Sequence, residues 1–261
     1  MRVVAVHRDA VVVTSRLWQT NAIALRAGGE AMLIDSPYFP DELELLPRLL
    51  AQSGFEPVGL LVTHADFDHL LGRAAFPGLA LGVGQPTAER LRAEPGAAQR
   101  ELRDSDDELY VARPRPLSLG TWQSLPVPGK LELGEEELEL HPADGHTADG
   151  TAVLAPFCGV LCPGDYLSDV EIPGVHRLGD YRATLDRLAP LVERAATVVP
   201  GHGSPLERDQ ALRVLDEDRA YLDALERGEE RPALPDGRDT GRQRALHAEN
   251  VRRCGGRASP P

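Results

Sequence analysis

The run Val58-Gly59-Leu60-Leu61-Val62 stops at the hexapeptide His64-Ala65-Asp66-Phe67-Asp68-His69. A short apolar run of this kind reads as a buried strand. The segment after it packs four possible metal ligands into six residues. A strand ending in such a cluster delivers imidazole and carboxylate groups to one place at its C-terminal edge. Those are the donor types that suit zinc, iron or manganese. Taken alone, the segment also reads as a solvated turn that caps a helix, because surface loops are rich in Asp.

Three later segments repeat the theme. Gly145-His146-Thr147 lies in a Gly- and Asp-rich turn between two strand-like runs. Gly164-Asp165 follows the apolar run Gly159-Val160-Leu161-Cys162, and Pro200-Gly201-His202-Gly203 follows Ala196-Thr197-Val198-Val199. In each, Gly or Pro stands near the polar residue and lets the backbone turn sharply.

The order HxDxDH, GH, GD, PGHG resembles the metallo-β-lactamase superfamily of metallohydrolases. The resemblance runs from about Asn21 to Pro205 and rests on His64, Asp68, His69, His146, Asp165 and His202. It extends to Asp35, a strand-end Asp in Leu33-Ile34-Asp35-Ser36. The resemblance implies an α/β fold, the αββα four-layer sandwich of the metallo-β-lactamase type. It also implies two metal sites: one at His64, Asp66 and His146, the other at Asp68, His69 and His202, with Asp165 bridging them. Two zinc ions are the expected cofactors, with iron or manganese as the alternatives. A metal-bridging hydroxide would attack the substrate, and Asp68 would orient it as the catalytic residue.

The departure from the family pattern is Asp66, where the common motif has His. Asp is shorter than His and a harder ligand, which shifts preference toward iron or manganese. Flavodiiron proteins of the same superfamily carry an acid here, a Glu. Two enzyme readings follow: a hydrolase of an ester, thioester, lactone or similar small substrate, or a mono- or dinuclear iron redox enzyme. A third reading, a domain that keeps metal only as structure, is disfavoured. A structural site needs neither two cations nor an open position.

Bulk properties narrow the partners. A formal net charge of −13 argues against nucleic acid, whose phosphates want a basic face. No apolar run approaches membrane-spanning length, and Met1 to His7 lacks the features of a signal peptide. A cytoplasmic protein with a small-molecule substrate is expected. Cys158, Cys162 and Cys254 have no framework spacing, and the first two read as buried small hydrophobes.

One domain is expected over residues 1–254, with a polar surface insertion at about 94–120 that could serve as a lid, and a disordered tail at 255–261. Strands are expected at 11–13, 21–25, 31–35, 58–62, 79–83, 138–141, 151–154, 159–162 and 197–199. Helices are expected at 41–52, 87–93, 181–194, 207–225 and 243–253. Tyr166 and His176 are the pocket candidates. His7, His141 and His247 read as surface or structural, and Trp18 and Trp122 as packing residues.

Overall fold

The computed structural model describes residues 1–254, so the expected tail at 255–261 lies outside the described residues. Strands β1 (Arg2–His7), β2 (Ala10–Thr14), β3 (Asn21–Ala27), β4 (Glu30–Ile34), β5 (Pro57–Val62), β6 (Ala80–Gly84) and β7 (Gln123–Leu125) form one sheet in chain order. Its first half is antiparallel, and β4 through β7 run parallel. Strands β8 (Gly129–Leu133), β9 (Glu136–Pro142), β10 (Thr151–Ala155), β11 (Val160–Cys162), β12 (Thr197–Val198) and β13 (Leu206–Glu207) form the second sheet, also adjacent in chain order. Only β11 and β12 pair in parallel there.

Side-chain alternation sorts the core into three layers. On β2, Ala10 and Val12 point between the sheets, where they join Ile23, Ile34, Leu61, Leu140, Val153 and Cys162. Val11 and Val13 point the other way, onto the helical layer. That layer holds α1 (Pro40–Gln52), α2 (Gly72–Ala75), α3 (Gln85–Ala93) and α4 (Ala97–Leu109). Leu43, Leu46 and Leu50 of α1 fill it. The second sheet is covered by α5 (Leu178–Arg194) and α6 (Arg208–Glu226) through Leu185, Leu188, Val192, Leu215 and Leu222. Helix α7 (Gly241–Cys254) packs beside α6. The result is helix, sheet, sheet, helix. Strands such as β2 and β10 are buried on both faces, which is why they read as unbroken apolar runs.

The stretch 94–120 departs from its expected form. It folds as α4 followed by a loop whose Leu117 and Leu119 are buried. Ala98, Leu102 and Asp106 form the inward stripe of α4. Asp106 accepts hydrogen bonds from the Tyr38 hydroxyl at 2.8 Å and from Arg113 Nε at 2.6 Å. A charged residue thus holds a core-facing position, and a hydrophobic count passes over the helix. The α4 residue Glu101 faces the cleft described below.

Candidate metal centre

The ligand candidates converge at one edge of the sandwich. His64 to His69 follow β5, His146 sits in the β9–β10 turn, Asp165 follows β11, and His202 follows β12. His64 Nε2 and His146 Nε2 stand 3.5 and 3.7 Å from Asp66 Oδ2. His69 Nε2 and His202 Nε2 stand 3.7 and 3.3 Å from Asp68 Oδ2. These are the two triads expected from the sequence, and each can gather its donor atoms around one ion. Asp165 lies between them. Its Oδ2 is 3.3 Å from His146 Nε2 and from His202 Nε2, and its Oδ1 is 3.2 Å from His69 Nε2.

Each imidazole is oriented from behind through Nδ1, leaving Nε2 to face the centre. His69 Nδ1 donates to Asp35 Oδ2 at 2.9 Å. Asp35 also accepts the Thr63 amide and hydroxyl, both at 2.8 Å, and that hydroxyl accepts from His64 Nδ1 at 3.0 Å. Asp35 is held at a left-handed φ of 55° at the end of β4. His146 Nδ1 donates to the Gly174 carbonyl at 2.9 Å, and His202 Nδ1 to the Trp18 carbonyl at 3.2 Å. Asn21 stitches the His202 turn to β3 by donating to the Pro200 and Gly203 carbonyls at 2.8 and 3.0 Å. Gly201 is required: a Cβ there would collide with Asp165 Oδ1.

The donor set fits a cation. Buried atoms His64 Nε2, His69 Nε2 and Asp165 Oδ1 have no hydrogen-bond partner among the described residues, although all three face the same spot. Orphaned buried donors and acceptors are rare and call for a partner. Burial would raise the Asp165 carboxyl, but His202, His69 and His64 hold it well below its ordinary range. Burial would likewise lower His146, yet Asp165 and Asp66 push it up to about 10. Without metal, the carboxylates and the imidazoles of His69, His146 and His202 thus favour one another's charged forms. Divalent cations would displace those protons and take over their role.

A cleft of about 950 Å³ opens onto these ligands. Its walls include Arg90, Glu101, Glu171, His176 and Arg242. His176 therefore lines the cleft. Tyr166 is not: it is buried behind the site, its hydroxyl donating to the Ala143 carbonyl at 2.9 Å and accepting the His146 amide at 2.7 Å. A turn that must fix His146 needs its own amide anchored, and Tyr166 supplies that. Trp18 packs against Tyr38 and Phe67, and Arg242 lies 4.6 Å above its ring. His247 is buried and bonded to the Tyr221 hydroxyl at 3.0 Å, a structural residue.

Thr63, Asn21, Gly174, Arg90 and Asp149 around the centre were not singled out from the sequence. None lies in a ligand-like motif, and each reaches the site only through the fold.

The metallo-beta-lactamase superfamily profile matches residues 15–202. Among solved structures, a metallo-beta-lactamase family protein from Thermus thermophilus superposes with a TM-score of 0.67 at 23% identity, covering 86% of this chain and 83% of that one. A beta-lactamase domain protein from Burkholderia ambifaria gives a TM-score of 0.66 at 17% identity, over 95% and 85% of the two chains. A metallo-beta-lactamase from Pontibacter korlensis gives 0.63 at 20% identity, over 82% and 97%. No curated protein matches the sequence.

Proposed function

The chain belongs to the metallo-β-lactamase superfamily, and from that premise we propose that it is a metal-dependent hydrolase of a small ester, thioester, lactone or similar substrate. The observation that carries this reading is the pair of triads sharing Asp165, with three orphaned buried donor and acceptor atoms turned toward one spot. His64, Asp66 and His146 would hold one cation, Asp68, His69 and His202 the other, with Asp165 serving both. Bound there, divalent cations supply a water acidified to hydroxide near neutral pH and Lewis acidity toward a carbonyl.

The chain's own residues do the rest. Asp68 is buried, and its Oδ2 faces His202 and His69. It orients the nucleophile and can accept its proton at a carboxylate oxygen. The Ser36 hydroxyl donates to the His69 carbonyl at 3.3 Å and fixes the loop that carries Asp68. The net charge of −13 supports a small-molecule substrate over a nucleic acid. No helix among the described residues is long and apolar enough to cross a membrane. An iron redox enzyme is the second reading, favoured by the carboxylate of Asp66 in place of imidazole.

The test is turnover of an ester, thioester and lactone panel by zinc-loaded protein, wild type against Asp68→Ala. Loss of a positioned proton acceptor is expected to cost about 10²–10⁴-fold in kcat. Retained turnover in a metal-replete Asp68→Ala variant would refute the role of Asp68, and no turnover by wild type on any of the panel would refute the hydrolase reading.

A further inference from the structure

Asp66 does not present a free carboxylate. Its Oδ2 faces His64 and His146, but its Oδ1 is ion-paired with Arg90, 2.8 Å from Nη1. The same Nη1 stands 2.8 Å from Asp149 Oδ1. Asp149 is buried, and its Oδ2 accepts the Ala65 amide at 2.8 Å. The Asp149 carbonyl accepts the Thr87 hydroxyl at 2.8 Å, which ties it to α3, the helix that carries Arg90. A ring therefore closes from Ala65 through Asp149 and Arg90 back to Asp66, the residue next to Ala65.

This ring has two chemical consequences. The guanidinium occupies one oxygen of Asp66, so the carboxylate has one oxygen left for a cation. It also sets a positive charge, shared with Asp149, against the carboxylate, so Asp66 presents a single donor oxygen. An imidazole likewise presents a single donor where the family motif has His. Small, four-coordinate cations such as zinc suit single-donor ligands, whereas harder cations such as manganese favour more oxygen donors. We propose that Arg90, seated by Asp149, is a positioning residue that limits Asp66 to one donor oxygen and so sets the metal selectivity of the site holding His64 and His146. The proposal rests on Asp66 being a metal ligand, and it is independent of the reaction the metal serves.

The probes are cobalt, zinc and manganese alone, with no substrate. Wild type and Arg90→Met are titrated with cobalt, and their visible absorption is compared. Chelator competition then gives each protein's zinc-to-manganese preference. Because Arg90→Met leaves Asp149 buried without its partner, Arg90→Met/Asp149→Asn is measured beside it. The Asn oxygen can still accept the Ala65 amide. Freeing the second oxygen of Asp66 is expected to weaken the cobalt absorption at this site, as coordination number rises, and to move the preference about tenfold toward manganese. Arg90→Lys, which retains the charge, is expected to recover part of both. Two bound metals with unchanged spectrum and preference in the Met variants would overturn the role of Arg90. A wild type binding one metal, with Asp66→Ala having no effect on it, would overturn Asp66 as a ligand and the role of Arg90 with it.

Discussion

Asp165 sets one carboxylate against four imidazoles from three segments of the chain, with His69, His146 and His202 within 3.3 Å and His64 at 3.7 Å. No other side chain among the described residues touches both triads in this way. Asp165→Ala is expected to reduce bound metal to one per chain or less; a variant that keeps the wild-type content contradicts the bridging role. Asp35 acts one step further out. It fixes His69 and, through Thr63, His64, so Asp35→Ala is expected to weaken metal binding about 10–100-fold in chelator competition. Wild-type affinity in that variant would show that the imidazoles need no orientation from behind. The candidate ligands were legible in the sequence because a His/Asp cluster follows the apolar run of β5 and each of the later three stands directly after a Gly. Asp35 was legible only as a family position. Its bond to His69 joins β4 to the loop after β5, which no local pattern encodes.

At the scale of elements, α7 stands apart from the sandwich yet reaches the site. Asn250 is fully buried and accepts the Val175 amide at 3.0 Å. It also donates to the Pro173 carbonyl at 2.7 Å and to the Tyr221 hydroxyl at 2.9 Å. Gln243 accepts the Ile172 amide at 2.9 Å. The loop so clamped contains Gly174, whose carbonyl orients His146. Asn250→Ala leaves the Val175 amide buried without a partner, which costs about 1–3 kcal/mol. It is expected to lower Tm and to weaken the metal held by His146 more than the metal held by His202. Equal weakening of both would mean that α7 stabilises the fold without positioning the site. The helix was legible from its spacing, but its task was not. Asn250 and Gln243 are polar, so amphipathic counting assigns them to solvent. Helix α4 escaped for the same reason, since Asp106 holds a core position through Tyr38 and Arg113.

Across the whole molecule, the candidate ligands come from both sheets. His64 to His69 belong to the first, and His146, Asp165 and His202 to the second. Metal bound here would cross-link the two halves at their shared edge. Ligand at a thousandfold excess over its Kd stabilises by about 4 kcal/mol, on the order of 10 °C in Tm for a chain of this size. Chelation is expected to lower Tm by that order, and an unchanged Tm would separate the metal from the fold. The order of strands and helices fits two packed sheets with helices outside, and the family resemblance implies the same layers. Strands buried on both faces give continuous apolar runs that do not say which sheet they join. The pairing of triads across the sheets was likewise implied by that resemblance.

These seven residues converge where a two-metal centre would form. Elemental analysis of protein purified without added metal, per mole of chain, tests it most directly. About two zinc per chain is the expected result. A single metal would contradict the dinuclear centre, and iron in place of zinc would contradict the hydrolase in favour of redox chemistry.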